Sequence, residues 1–151
     1  MIAVDTNILI YAHRRETDLN VAATAELVRL AEGTEPWTLP VFCLTEFMRV
    51  VTHQRVFNPP STIAQAMDFI NGIVAAPTCH VALPGADFLQ HLETTVRRAD
   101  ARGNLMFDAQ IAALCREHGI AAILTNDRDF ERFDRLQVRY LDKASGRTDK
   151  G

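Results

Sequence analysis

An α/β domain, with a parallel sheet covered by helices on both faces, is the fold class this sequence predicts, and three observations lead to it. Met1, Ile2, Ala3 and Val4 form an apolar run without polar alternation, the pattern of a strand buried on both faces in the middle of a parallel sheet. Short apolar runs then alternate with longer segments of helical periodicity, which calls for parallel strands joined by right-handed crossovers. Finally, 151 residues that are 48% hydrophobic suffice for one domain with a substantial core and leave no room for a second. Residues 1–141 are expected to form that domain and 142–151 a loose polar tail.

Taken in order, the first strand ends on Asp5, Thr6 and Asn7, and a short apolar stretch from Ile8 to Ala12 follows. Arg14, Arg15, Glu16 and Asp18 read as a solvated turn. Asn20 is expected to cap a helix from Val21 to about Glu32, with Val21, Ala25, Val28 and Ala31 on one apolar face and Gly33 stopping it. Trp37 to Leu39 is a second strand, and Pro40 opens a helix from Val41 to about Thr52. Asn58, Pro59 and Pro60 break the chain before Ser61 or Thr62 starts a helix through about Ala75. A third strand, Cys79 to Leu83, precedes a helix from Ala86 or Asp87 to about Arg102, with Phe88, Leu92 and Val96 inward. Gly103 and Asn104 separate it from a helix spanning about Phe107 to His118, whose inward stripe is Ile111, Leu114 and Cys115. Ile120 to Leu124 and Gln137 to Leu141 read as the last two strands.

Composition removes several function classes. The net charge of −3 argues against a protein that holds nucleic acid through bulk positive charge, while permitting a short RNA contact. The basic residues are nearly all arginine, which suits bidentate phosphate recognition; Arg14, Arg15, Arg97, Arg98 and Arg102 are candidates to grip a polyanion. Three scattered cysteines, Cys43, Cys79 and Cys115, lie in apolar stretches and are expected to be buried, reduced thiols. No two of the five histidines are spaced for a zinc site. No serine or cysteine nucleophile with a partner histidine is apparent. The first apolar run carries no basic segment before it and is broken by Asp5 well short of a membrane span, so a cytoplasmic protein is expected.

Four acids draw attention because of where the pattern places them. Asp5 and Asp127 directly follow strands, and in open α/β sheets ligands bind at the carboxyl ends of strands; either residue could equally cap the helical segment after it. Glu46 recurs with Phe42, Cys43, Phe47, Val50 and Val51 on an apolar helical stripe, where a charge is costly unless compensated. An ion pair with Arg49 three residues on would instead draw it to the rim. Asp108 falls in the first turn of its helix on the core side, where the helix dipole also favours an acid. Asp129 could share or take over the part of Asp127. Gathered on one edge, such carboxylates would repel one another and call for a cation. Oxygen ligands without histidine or thiolate favour Mg²⁺ or Mn²⁺, ions that support phosphodiester hydrolysis.

Asp5, Thr6 and Asn7 after Ile2 to Val4, Glu46 within Leu44 to Phe47, Phe107, Asp108 and Ala109 before Ile111 to Ala113, and Thr125, Asn126 and Asp127 with Phe130 form an ordered set. In that order the chain resembles the PIN-domain ribonucleases, and among them the VapC toxins of bacterial toxin-antitoxin pairs. The resemblance covers nearly the whole chain. It implies a five-stranded parallel sheet, a metal-dependent endoribonuclease, a homodimer, and a cognate VapB-type antitoxin whose C-terminal segment lies over the site. Carried over by residue, it makes Asp5 and Asp108 the principal metal ligands, with Glu46 and Asp127 completing the acidic pocket. Thr6, Asn7, Thr125 and Asn126 become supporting hydrogen-bonding residues. Phe107 stands where some members carry histidine. Other readings are a PIN fold retained only for binding, a receiver-like module, and a phosphatase of the haloacid-dehalogenase type. The scarcity of lysine disfavours the receiver, and Asn7, where the phosphatase needs a second acid, disfavours the last.

Overall fold

The all-apolar first run is explained by its position: β1 (Ile2–Val4) is paired on both edges, with β2 (Trp37–Pro40) on one side and β4 (Ala122–Leu124) on the other. In this computed structural model, which describes residues 1–141, β3 (Cys79–Ala82) and β5 (Gln137–Arg139) complete one sheet of order β3-β2-β1-β4-β5. All four strand pairings are parallel. The tail read at 142–151 lies outside the described residues. Successive side chains of β1 point to opposite faces and so serve two cores. Val4 packs with Ile8, Leu27, Trp37 and Phe47, whereas Ala3 packs with Ile111, Cys115, Ile123 and Phe130.

Six helices and a 3₁₀ turn connect the strands: α1 (Thr6–His13), α2 (Asn20–Glu32), α3 (Val41–Val51), α4 (Ile63–Val74), α5 (Phe88–Ala99), α6 (Leu105–Glu117) and the turn Arg128–Arg132. Among the described residues, no helix is long and apolar enough to cross a membrane. Thr62 begins α4 with a capping box in which its hydroxyl accepts the Gln65 N–H at 3.1 Å and the Gln65 side chain accepts the Thr62 N–H at 2.9 Å. Gly119, at φ 68°, closes α6, and the Ile120 N–H reaches back to the Cys115 carbonyl at 2.8 Å.

The stretch Ile8 to Ala12 lies in a helix, α1, capped by Asp5, in agreement with the capping reading of that acid. Several expectations are corrected. Asn20 does not cap α2, whose N-cap is Leu19; its amide instead donates to the Tyr11 and Ala12 carbonyls, tying the end of α1 to the start of α2. The inward face of α2 is Ala23, Leu27 and Leu30, while Val21, Ala25 and Val28 are exposed. That choice lets two leucines bury more apolar area than the alternative face could. Helix α5 stops at Ala99 because Asp100 takes up the left-handed conformation at φ 48° and the Ala101 N–H closes on the Val96 carbonyl at 3.0 Å. Strands β3, β4 and β5 are each shorter than the stretches expected to form them, and α6 begins two residues earlier than expected. All three cysteines are free, but Cys79 is only half-buried, at the sheet's edge strand β3.

Candidate metal and active site

The sheet's carboxyl edge is built from the two loops that leave β1 and β4, and Thr125 joins them. Its hydroxyl, fully buried, donates to Asp5 Oδ2 at 2.7 Å while accepting from the Asn7 amide at 3.2 Å and the Asp127 N–H at 3.0 Å. Asn7 Oδ1 accepts the Asn126 N–H at 3.4 Å, and Asn126 Oδ1 accepts the Leu141 N–H at 2.9 Å. The repeated strand, threonine, asparagine pattern is thus two halves of one hydrogen-bonded seam.

Asp5 is 4% exposed. Its Oδ1 caps α1 by accepting the Thr6 N–H at 2.8 Å and is approached by the Cys43 thiol at 3.7 Å. Burial, reinforced by the charges of Glu46 and Asp127 and opposed by the bonds from Thr125 and Thr6, raises its pKa from 3.8 to about 6. Glu46 sits at the rim of the α3 stripe: Oε2 accepts the Thr6 hydroxyl at 3.1 Å, and Oε1 lies 3.7 Å from the Arg49 guanidinium. Asp108, in the first turn of α6, has its pKa raised from 3.8 to about 7, first by burial and then by Asp127, Asp5, Asp129 and Glu46. Asp127 caps the 3₁₀ turn, its Oδ1 accepting the Asp129 N–H at 2.9 Å.

Asp108, Asp127 and Asp129 each offer a carboxylate oxygen, all within 4.8 Å of one another. With Glu46 they line an open cleft of about 810 Å³, which also takes in Phe42, Arg49, Asn104, Leu105, Phe107 and Gln110. Of the four acids singled out in the sequence, three line this cleft and the fourth, Asp5, is buried close enough to feel Glu46 and Asp127. Asp127 and Asp129 both belong to the cluster. The spacing D-x-D after a strand was the available signal, and the cap between them turns both toward Asp108.

The donor set is all oxygen, and two of its carboxyls resist ionising in the absence of a counter-charge, so the residues present fit a hard divalent cation. Cys43 is fully buried and its thiol pKa lies well above the ordinary value, first through burial and then through Asp5, which leaves it unsuited to ligation or attack. None of Arg14, Arg15, Arg97, Arg98 and Arg102 lines the cleft. Arg14 is held by Glu16, Ser61 and the Pro59 carbonyl, Arg97 by Glu93, Arg98 by Asp134 and Arg102 by Asp100. The basic residue that does line it, Arg49, entered the sequence reading only as a partner for Glu46.

Fold and cleft together define a parallel α/β domain that presents an oxygen-donor acidic site at the carboxyl ends of its strands. The PIN domain matches residues 2–136, and the chain belongs to the PIN-domain family. Among its relatives, VapC ribonuclease Mb2897 of Mycobacterium bovis is 37% identical over 140 residues, 93% of this chain and 95% of that protein. Ribonuclease VapC31 of Mycobacterium tuberculosis is 34% identical over 141 residues, 93% of this chain and 97% of that one. In fold the chain is similar to VapBC2 from Rickettsia felis bound to a promoter DNA fragment, with a TM-score of 0.69 at 19% identity, covering 94% of this chain and all of that one. It is also similar to VapC20 of Mycobacterium tuberculosis, a sarcin-ricin loop cleaving toxin, with a TM-score of 0.64 at 18% identity, covering 87% and 93% of the two chains.

Proposed function

We propose that this chain is an endoribonuclease that hydrolyses RNA phosphodiester bonds with Mg²⁺ or Mn²⁺, and that it acts as the toxin of a type II toxin-antitoxin pair. The observation that carries the reading is the convergence of Asp108, Asp127 and Asp129 within 4.8 Å, beside the buried Asp5 and the cleft-lining Glu46. The names of the relatives at 34–37% identity support RNA as the substrate class. A VapB-type antitoxin as cognate partner, a homodimer and a cytoplasmic location belong to the same reading.

Asp5, Glu46, Asp108, Asp127 and Asp129 would hold the ion. Bound there, a divalent cation would lower the pKa of an attacking water and stabilise charge on the phosphate and the leaving oxygen. The rest is positioning by the chain itself. Thr125 and Thr6 fix both oxygens of Asp5, the Thr6 hydroxyl orients Glu46, and the Asp129 N–H orients Asp127. These acids are therefore set in place before substrate arrives, which removes reorganisation from the reaction step.

Purified protein incubated with total RNA is expected to cleave only when Mg²⁺ or Mn²⁺ is present. Asp5→Asn and Asp108→Asn should each lower the rate by at least about 100-fold while retaining the parent's circular dichroism spectrum. Equal cleavage in excess chelator refutes the reading.

A further inference from the structure

The acidic cleft also has an apolar part, formed by Phe42, Leu105 and Phe107. Two of these are anchored: Phe42 is half-buried and packs on Phe88 with ring centroids 5.7 Å apart, and Leu105 packs against the second core. Phe107 is not. It is 61% exposed, belongs to neither core, and has no aromatic partner among the described residues. With most of its surface in water, the Phe107 ring buries little apolar area in folding and leaves an apolar face open to the cleft. Phe107 immediately precedes Asp108 at the start of α6, and its side chain lines the same cleft as the carboxylates of Asp108, Asp127 and Asp129.

Three other lining groups complete a chemistry. Asn104 and Gln110 carry side-chain amides with no hydrogen bond among the described residues, free to meet the polar edge of a base. Arg49 is the basic residue lining the cleft; its side chain is 65% exposed and its contact with Glu46 is loose, at 3.7 Å. A ring face for stacking, amides for a base edge and a guanidinium for a phosphate thus flank the acids.

We propose that Phe107 is the stacking platform for one unpaired RNA base beside the cleaved bond, with Arg49 holding an adjacent phosphate. The inference rests on the ribonuclease reading and deepens it by naming a positioning residue. A paired base has its faces covered by neighbours in the helix, so the platform selects a nucleotide that is already unstacked or easily turned out. Because every base has a π-face, Phe107 supplies affinity and register, and sequence preference is left to the amides.

The test begins with total RNA and Mn²⁺. If the parent protein cleaves nothing, the ribonuclease reading falls and this inference with it. When it cleaves, the cut site is mapped, and oligonucleotides spanning it are made with one abasic position at a time. Phe107→Ala is expected to keep the parent's melting temperature and lose about 10-fold in kcat/KM, and Phe107→Trp to restore the rate. One abasic position beside the cut should cost the parent a similar factor and cost Phe107→Ala nothing more. Unchanged kcat/KM in Phe107→Ala overturns the inference while leaving the ribonuclease reading intact. So does a loss that adds fully to that of every abasic position.

Discussion

Replacing Asp108 with asparagine should make the metal-free protein more stable at neutral pH, although it removes a native charge from the first turn of a helix. Burial and four neighbouring acids raise the Asp108 pKa from 3.8 to about 7, so at neutral pH the fold pays for ionising it. Read in full, that shift corresponds to about 4 kcal/mol. The residue borders an open cleft, and solvent screening brings the figure to roughly 1–2 kcal/mol. Asparagine also forgoes about 0.3–1 kcal/mol of favourable interaction with the N-terminus of α6. The net gain is about 1 kcal/mol, a rise in melting temperature of roughly 2–4 °C for a chain of this size.

The pH dependence identifies the cause. Between about pH 4 and pH 7 the folded protein keeps the Asp108 proton that the unfolded chain has lost, so the parent's stability falls as pH rises through that window. The advantage of Asp108→Asn should therefore be absent near pH 4 and complete above about pH 7. Thermal unfolding in chelator across that range measures it. A variant less stable than the parent at high pH, or a difference that does not change with pH, would show that Asp108 acts as a helix-terminal acid and refute the repulsion argument.

The other predictions concern the ion, the seam and one cap. Adding Mg²⁺ or Mn²⁺ should raise the parent's melting temperature, by about 2.7 kcal/mol of stability at 100 times the dissociation constant, and raise that of Asp108→Asn by less; differential scanning calorimetry compares the two. Thr125→Val removes the hydroxyl donated to Asp5 and should cost about 1–3 kcal/mol in urea unfolding. It should also move the acid limb of the cleavage pH profile upward, because Asp5 loses a bond that lowers its pKa, and Thr125→Ser should restore both. Thr62→Ala breaks the capping box of α4 and should cost about 1 kcal/mol with no change in cleavage.

The sheet was legible because a strand buried on both faces leaves little room for polar residues; β1 and β4 obey that rule, and β2 departs from it only at the buried Thr38. Helix α1 was harder to read: eight residues are too few to show periodicity, and Asp5 serves it as a cap while also facing the acids. In α2 an alanine- and valine-rich sequence offers two apolar faces at helical spacing, and only the tertiary fit of Leu27 and Leu30 decides between them. The site followed the same division. Position after a strand or on an apolar helical face was enough to single out Asp5, Glu46, Asp108 and Asp127. The gathering of Asp129 with Asp127 depends on a local cap, and the exposure of Phe107 on the start of α6, neither of which periodicity reports.

The central place of β1 has a consequence for how the molecule comes into being. Asp5 and the hydroxyl that orients it are 120 positions apart in the chain, and β4, which supplies that loop, is the inner neighbour of β1 on one side. A polypeptide still being made cannot assemble the acidic edge until most of its length has left the ribosome, since so distant a pairing must close a long loop first. Interrupted translation products would then be inert, and a protein that attacks RNA would stay harmless to the machinery producing it until synthesis is nearly over.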